Sequence, residues 1–173
     1  RPTVEGDVTL RYGAIGRAIA PAGASTGSGE AVERRDDGEA FGGLDVKGAV
    51  AAINTEIHVA LKDKDVRDQE GIDKVLGELD GTTDKSRLGG NALIATSMAV
   101  LNAAAAAEKI PLWQYLGPLM GHSDGNVLPL PEIQILGGGA HAAGRVDIQD
   151  SMVIAVGASS FAAALDWATA VSR

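Results

Sequence analysis

The hydrophobic pattern of the chain changes its period twice, and this change constrains the fold more than any single motif does. Over residues 2–10 apolar and polar residues alternate, which predicts a half-buried strand. A turn at Tyr12 and Gly13 leads to a second apolar run over residues 14–20. The two segments together predict a β-hairpin at the start of the chain.

From Asp45 onward the apolar residues recur every three or four positions, which predicts helices. Four segments show this period: residues 45–61, 66–79, 91–109 and 112–120. We expect Asp45 to be the N-cap of the first helix, and residues 80–81 to stop the second. The third helix contains the alanine run 103–107, whose small side chains allow a neighbouring element to approach closely. The fourth is expected to break at residues 117–118.

Two further apolar strands follow a polar linker over residues 121–126. They span residues 127–136 and 147–156, and Ser160 is expected to cap a helix that follows them. A sheet of two strands with one helix is too small to stand alone. We therefore expect the chain to be the front portion of a longer protein.

Composition and charge exclude several classes of protein. The 173 residues include no cysteine, which excludes disulfides, thiolate metal sites and a thiol nucleophile. The net charge of −8 argues against binding to nucleic acid. We expect no membrane span, since no run of about 18 uncharged apolar residues is evident, and the first residues do not resemble a signal peptide. These features predict a soluble, cytosolic protein.

Residues 23–29 are all small, and their function has two readings. The segment is either a flexible connection or a ligand lid whose backbone N–H groups cradle an anion. It has neither the lysine of a Walker loop nor the spacing of a dinucleotide fingerprint. Ser25 and Thr26 carry its first hydroxyl groups, so they are its first candidate side-chain ligands for a metal or a phosphate.

The glycines at residues 137–139 follow a predicted strand and immediately precede the segment that holds His141. Consecutive glycines let a backbone turn tightly and come close to a ligand. His141 is therefore a candidate ligand-binding residue. A loop histidine without a functional role explains the same pattern equally well.

Asp150 lies in a predicted strand, and alternation would place it on one face with Met152 and Ile154. A carboxylate among apolar side chains needs a partner or a metal, because burying it alone is costly. A structural ion pair with Arg145 or Arg17 is the alternative. The acidic residues over 33–39 are expected to lie on a solvated surface.

Several short motifs, taken in order along the chain, resemble one family of known proteins. They are residues 2–5, 21–27, 30–31, 35–36, 68–70, 79–82, 85–86, 90–92, 138–142 and 149–152. The ordered set resembles the enolase family over nearly the full chain. It is highly specific as a set, although no single motif in it is.

The resemblance implies an α+β N-terminal capping domain, a β-hairpin or meander plus helices, over residues 1–126. It implies the first part of a (β/α)₈ TIM-like barrel over residues 127–173. The implied activity is that of a carbon–oxygen lyase, which reversibly dehydrates 2-phosphoglycerate to phosphoenolpyruvate in glycolysis. In that reaction a lysine removes the proton α to the carboxylate, and two Mg²⁺ ions stabilise the enediolate.

The resemblance also implies roles for individual residues. Ser25 would bind the second Mg²⁺ as its loop closes, and His141 would contact the substrate. Asp150 stands where the family has a glutamate that binds substrate and the leaving water, so it is the candidate catalytic residue. Gln149 is its substrate-binding neighbour. The family's catalytic lysines match no segment here, and we expect the 173-residue chain alone to show no turnover.

Partners are implied in the same way. The expected ligand is a small phosphorylated carboxylic acid, and the expected assembly is a homo-oligomer, either a dimer or an octamer. Neither nucleic acid nor a membrane is an expected partner. The expected location is the cytoplasm.

Four positions depart from the family's pattern. Ala22 and Ala140 replace serines, Gly137 replaces an asparagine, and Asp150 is one methylene shorter than the expected glutamate. An offset of about 1 Å at a reacting group can cost on the order of 100-fold in rate. These departures favour an altered substrate, such as the phosphonate analogue of a carboxyphosphonoenolpyruvate synthase. A catalytically silent cap or interaction module is an alternative from another class.

Overall fold

The chain divides into two structural units in a computed structural model that describes residues 1–23, 26–121 and 128–173. The units are Arg1–Gly125 and Asn126–Arg173. The boundary expected at residue 126 lies among residues outside the described ranges. It therefore stays a prediction.

The alternating segments at the start of the chain form an antiparallel hairpin. Strand β1 (Val4–Thr9) pairs with strand β2 (Ile15–Ala20). Gly13 adopts a φ of 91° in the connecting turn, a left-handed conformation that favours glycine. The predicted hairpin is confirmed, with shorter strands than the apolar pattern suggested.

Helix α4 (Gly90–Glu108) lies at the centre of the first unit, and eleven of its nineteen residues are buried. Strand β2 contacts it almost backbone to backbone. A Cβ atom on Gly16 would lie 2.1 Å from the Ala103 nitrogen and 2.2 Å from the Ala99 oxygen. The expected close approach to the alanine-rich helix is confirmed, and it requires glycine at position 16.

By length and composition alone α4 is apolar enough to cross a membrane, contrary to the expectation that the chain has no such stretch. The side chains that make it apolar are largely buried in the first unit. Ala92, Ala95 and Val100 belong to the same core cluster as Val4 of the hairpin. We therefore assign α4 as a core helix.

The first predicted helix forms, but its N-terminus is capped differently from the prediction. It comprises α1 (Lys47–Ala52), a π-helical turn (Ile53–Ile57) and α2 (His58–Leu61). The Asp45 side chain accepts the N–H of its neighbour Val46 at 2.9 Å and forms an ion pair with Lys47, but it does not cap the helix. The carboxylate of Asp36 accepts the Gly48 N–H at 3.0 Å instead. A residue distant in sequence thus satisfies a free donor of the first turn.

The second and fourth predicted helices also differ from their predicted form. Helix α3 (Gln69–Asp80) begins later than predicted, because Asp68 accepts the Gly71 N–H and caps it there. Gly81 ends α3 in the left-handed conformation, as predicted. Helix α5 (Leu112–Leu119) is not broken at Pro118. A proline so close to the last residue removes only one terminal hydrogen bond.

The second unit contains a second antiparallel hairpin and a helix. Strand β3 (Glu132–Gly137) pairs with strand β4 (Asp150–Ile154), and helix α6 (Phe161–Ser172) follows. Ser160 accepts the Ala163 N–H at 3.1 Å, which confirms the predicted cap. Both strands are shorter than predicted. Pro129 and Pro131 have no N–H for a strand ladder, so pairing of β3 starts only after them.

The close contact between β2 and α4 yields a stability prediction. Gly16→Ala must push the strand away from the helix backbone, so we expect a loss of about 1–3 kcal/mol or more in the free energy of unfolding. Urea unfolding followed by circular dichroism measures it. Gly29→Ala is the matched control, since a Cβ atom there meets nothing within 4 Å. Equal stability of the two variants would contradict the packing described.

Candidate functional site

Strand β3 ends in the glycine run, and the backbone then folds back against the segment that precedes β4. The Gly138 N–H donates to the Gln149 oxygen at 2.6 Å, and the Gly139 N–H donates to the Val146 oxygen at 2.7 Å. These bonds hold the end of one strand beside the start of the other. The turn that contains His141 and the segment that contains Gln149 and Asp150 are therefore held side by side.

Gly138 is required by this arrangement. A Cβ atom at that position would lie 2.0 Å from the Ile148 oxygen and 3.0 Å from the Val146 oxygen. The glycine run thus allows a tight turn and a close approach to the chain's own backbone, whereas the expected approach to a ligand stays a prediction. Gly139 has a φ of 57°, so it too occupies a conformation that favours glycine.

His141 lies in a short 3₁₀ helix, Gly139–Ala142, whose first residue packs against Gln149. A Cβ atom on Gly139 would lie 3.3 Å from the Gln149 Cβ, which shows how closely the turn and the β4 approach are packed. The backbone thus places the two predicted substrate-binding residues in adjacent segments. The side chain of His141 lies outside the described part of the structure.

Asp150 is the first residue of β4 and lies opposite Gly137. It is half-buried, whereas Met152 and Ile154 on the same strand are 48% and 46% exposed. The apolar face expected around Asp150 is therefore largely exposed, and the carboxylate does have a partner, although not in an ion pair within the described residues. The carboxylate instead has a neutral polar partner, because the Nε2 amide of Gln134 donates to its Oδ1 atom.

The sequence-based reasoning missed Gln134, although a signal for it was present. Glu132 and Gln134 alternate with Ile133 along β3, which places polar residues on one face of a segment that was read as uniformly apolar. The ion pair with Arg145 considered for Asp150 is not formed within the described part of the second unit. Arg17 instead pairs with Asp7 at 2.6 Å in the first unit.

Ser25, the predicted metal ligand, lies outside the described residues together with Ala24. The chain on its N-terminal side is anchored at Gly23. The Gly23 N–H donates to the Glu33 Oε1 atom at 2.9 Å, and Arg1 donates to the Gly23 oxygen at 3.1 Å.

Glu33 belongs to an ion pair that is largely enclosed. Its Oε2 atom lies 2.5 Å from the Arg35 Nη2 atom, and the two side chains are 27% and 14% exposed. The Arg35 Nη1 atom also donates to the oxygens of Pro2 and Leu44, at 2.7 and 2.9 Å. The expectation that residues 33–39 form a solvated acidic surface is therefore wrong for Glu33, because backbone and guanidinium donors enclose it.

The donors around Glu33 also shift its pKa. Partial burial would raise the pKa of this carboxyl group, but the Gly23 N–H and the guanidinium of Arg35 outweigh it and lower the pKa below its ordinary value of 4.5. The ionised form is therefore the one that the folded chain favours.

The described residues do not build a magnesium site. Within residues 1–23, 26–121 and 128–173, and apart from the side chain of His141, no three His, Asp or Glu residues group closely enough to hold a metal ion. Mg²⁺ requires near-octahedral coordination by oxygen, usually including one or two carboxylates. Ser25, the metal ligand that the resemblance implies, lies outside the described residues.

Comparison with known proteins agrees with this arrangement in both units. Residues 1–116 match the family described as enolase, N-terminal domain, and residues 125–173 match enolase, C-terminal TIM barrel domain. The chain is also similar to Enolase 1 of Desulfitobacterium hafniense (strain Y51), with 51% identity over 160 residues. That alignment covers 92% of this chain and 36% of the relative.

The architecture is thus an α+β N-terminal domain followed by the start of a TIM barrel. The chain belongs to the enolase family. It spans 36% of the length of the curated relative that it matches.

The environment of Glu33 yields a prediction for pH dependence. Because its pKa is lower in the folded chain than in the unfolded one, its contribution to stability is present above the ordinary value of 4.5 and is lost as the pH falls through the folded pKa. We expect Glu33→Gln to reduce stability at neutral pH and the deficit to shrink on acidification. Urea unfolding between about pH 6 and about pH 3 measures this difference.

The exposed residue Glu30 provides a matched control for that series. We expect Glu30→Gln to follow the parent chain at every pH. A deficit for Glu33→Gln that stays constant across the pH range would contradict the assigned role of the ion pair.

Proposed function

We propose that this chain supplies the N-terminal domain and first barrel strands of an enolase-type lyase, which reversibly dehydrates 2-phosphoglycerate to phosphoenolpyruvate. The observation that carries the proposal is the match to both enolase domains in their order along the chain. The 51% identity to a protein named Enolase 1 supports it.

The proposal includes Mg²⁺, because abstraction of a weakly acidic proton α to a carboxylate needs divalent charge to stabilise the dianion that forms. Ser25 is the proposed ligand within this chain. The described residues do not assemble the remaining ligands, so the roles below concern the chain's own side chains.

Asp150 is the proposed catalytic residue of this chain. Its position at the start of β4, half-buried and beside the glycine turn, suits a carboxylate that contacts the leaving water of the substrate. Gln149 and His141, on the adjacent segments, are the proposed substrate-binding residues. We also propose a cytoplasmic homo-oligomer, with a small phosphorylated carboxylic acid as its ligand.

A second candidate substrate is a phosphonate analogue of the same acid. The observation that favours it is the pairing of the shorter carboxylate of Asp150 with Gly137, which has no side chain. Both residues are smaller than the glutamate and asparagine of the family's pattern, and the amide of Gln134 lies beside them.

A chimera tests the proposed function. Residues 1–173 would replace the matching span of the Desulfitobacterium enolase, and turnover would be followed by the absorbance of phosphoenolpyruvate. We expect about 10 turnovers per second with 2-phosphoglycerate, a typical enzyme value. A folded chimera that is inactive on 2-phosphoglycerate but turns over the phosphonate would contradict the first candidate and support the second.

Asp150→Asn in this chimera tests the catalytic assignment. We expect activity to fall by about 100-fold or more, because a reacting group is lost. The melting temperature should change little, since the asparagine can still accept from Gln134. Asp147→Asn is the matched control, because Asp147 is exposed three residues earlier. Undiminished activity of Asp150→Asn would exclude the carboxylate from the chemistry.

A further inference from the structure

We infer that Gln134 is a positioning residue, which holds the shortened carboxylate of Asp150 in place through the space that Gly137 leaves open. This inference rests on the proposed function of Asp150. It connects two of the departures from the family's pattern, Gly137 and Asp150, and it implies that residues 134, 137 and 150 act together.

The register of the hairpin places these three residues together. Gln134 lies opposite Met152, whereas Gly137 lies opposite Asp150, and Ile135 is the extra residue of a β-bulge between them. Gln134 is thus a diagonal neighbour of Asp150 across the strand pair. A long side chain can bridge that diagonal distance, and the Nε2 amide of Gln134 reaches Asp150 Oδ1.

The absent side chain of Gly137 makes this contact possible. A Cβ atom on Gly137 would lie 3.2 Å from Gln134 Nε2 and 3.9 Å from its Cδ, with no other atom nearby. A side chain at position 137 would therefore crowd the amide, which would have to shift by a few tenths of an ångström beside Asp150. Gly137 is also outside the left-handed region, so conformational freedom does not explain the glycine.

The arrangement compensates for the missing methylene of Asp150. The side chain of Asp150 is one methylene shorter than that of a glutamate, so its carboxylate lies about one bond length closer to the backbone. A reacting group that is misplaced by such a distance lowers the reaction rate. The amide of Gln134 donates to an ionised oxygen, which is a stronger and more directional bond than one between neutral groups. It therefore restricts the rotation of the carboxylate and leaves the Oδ2 atom for other contacts.

Nuclear magnetic resonance of the folded chimera tests the contact without any assay of activity. We expect one Nε2 proton of Gln134 to be shifted downfield and to exchange more slowly than the amide protons of exposed Gln114. Asp150→Ala and Gly137→Ala should each return Gln134 to the behaviour of Gln114. Amide protons of Gln134 that resemble those of Gln114 in the parent chimera would overturn the inference.

Kinetics of the chimera test the positioning role. We expect Gln134→Leu to lower kcat by about 10- to 100-fold and to change KM by less than about threefold, because the carboxylate is present but misplaced. Glu132→Gln is the matched control on the same strand, since Glu132 is exposed and lies opposite Ile154. It should match the parent in both constants.

A rescue experiment distinguishes positioning from general stabilisation. Gly137→Asn should lower kcat by displacing the Gln134 amide, and Asp150→Glu should lower it by crowding the same amide. The double variant should recover to within about threefold of the parent, because the introduced asparagine can serve the longer carboxylate. Simple additivity of the two losses would overturn the inference.

The outcomes separate this inference from the proposed function. If the parent chimera is folded but inactive on both substrates, the proposed function fails, and the resonance experiment still decides whether Gln134 holds Asp150. If the chimera is active and Gln134→Leu keeps its kcat, the positioning role is overturned and the proposed function stands.

Discussion

The approach of strand β2 to helix α4 without intervening large side chains is the constraint on which the first unit depends. Gly16 lies directly on the backbone between Ala99 and Ala103, and Asn102 donates from the helix to the Arg17 oxygen at 3.2 Å. A contact of this kind requires glycine on the strand and alanine on the helix. It gives a local use to the small residues of a chain in which only 3% of residues are aromatic.

The same helix also holds the segment that follows the small-residue loop. The side-chain oxygen of Asn91 accepts the Arg34 N–H at 3.0 Å, and its amide donates to the Arg34 oxygen at 3.1 Å. The Gly90 N–H donates to the Val32 oxygen at 2.7 Å. Glu33, between these two anchored residues, then binds Gly23. The packing of α4 and the position of the loop's first residue are therefore linked through a few short contacts.

Local sequence patterns predicted the helices, strands and turns that depend on neighbouring residues. They did not predict contacts that depend on residues elsewhere in the chain. The hairpin turn at Gly13 and the end of α3 at Gly81 were predictable because glycine favours those conformations wherever they occur. The contact between Gln134 and Asp150 was not, since it depends on a β-bulge that has no clear signature in sequence. The enclosure of Glu33 depends on its near neighbour Arg35, but also on Gly23 and on the Pro2 oxygen that binds Arg35, which are further away along the chain. Motif order identified the family, whereas no local rule could supply the neighbours of its site residues.

A crystal structure of the chimera with Mg²⁺ and phosphoenolpyruvate tests most directly whether the turn after β3 and the start of β4 form a substrate site. The ligand should lie against the segment 138–141 and within hydrogen-bond distance of Asp150, whose Oδ1 atom should still accept from Gln134. A ligand bound with Asp150 pointing away from it, or bound elsewhere in the chain, would contradict the assignment of this site.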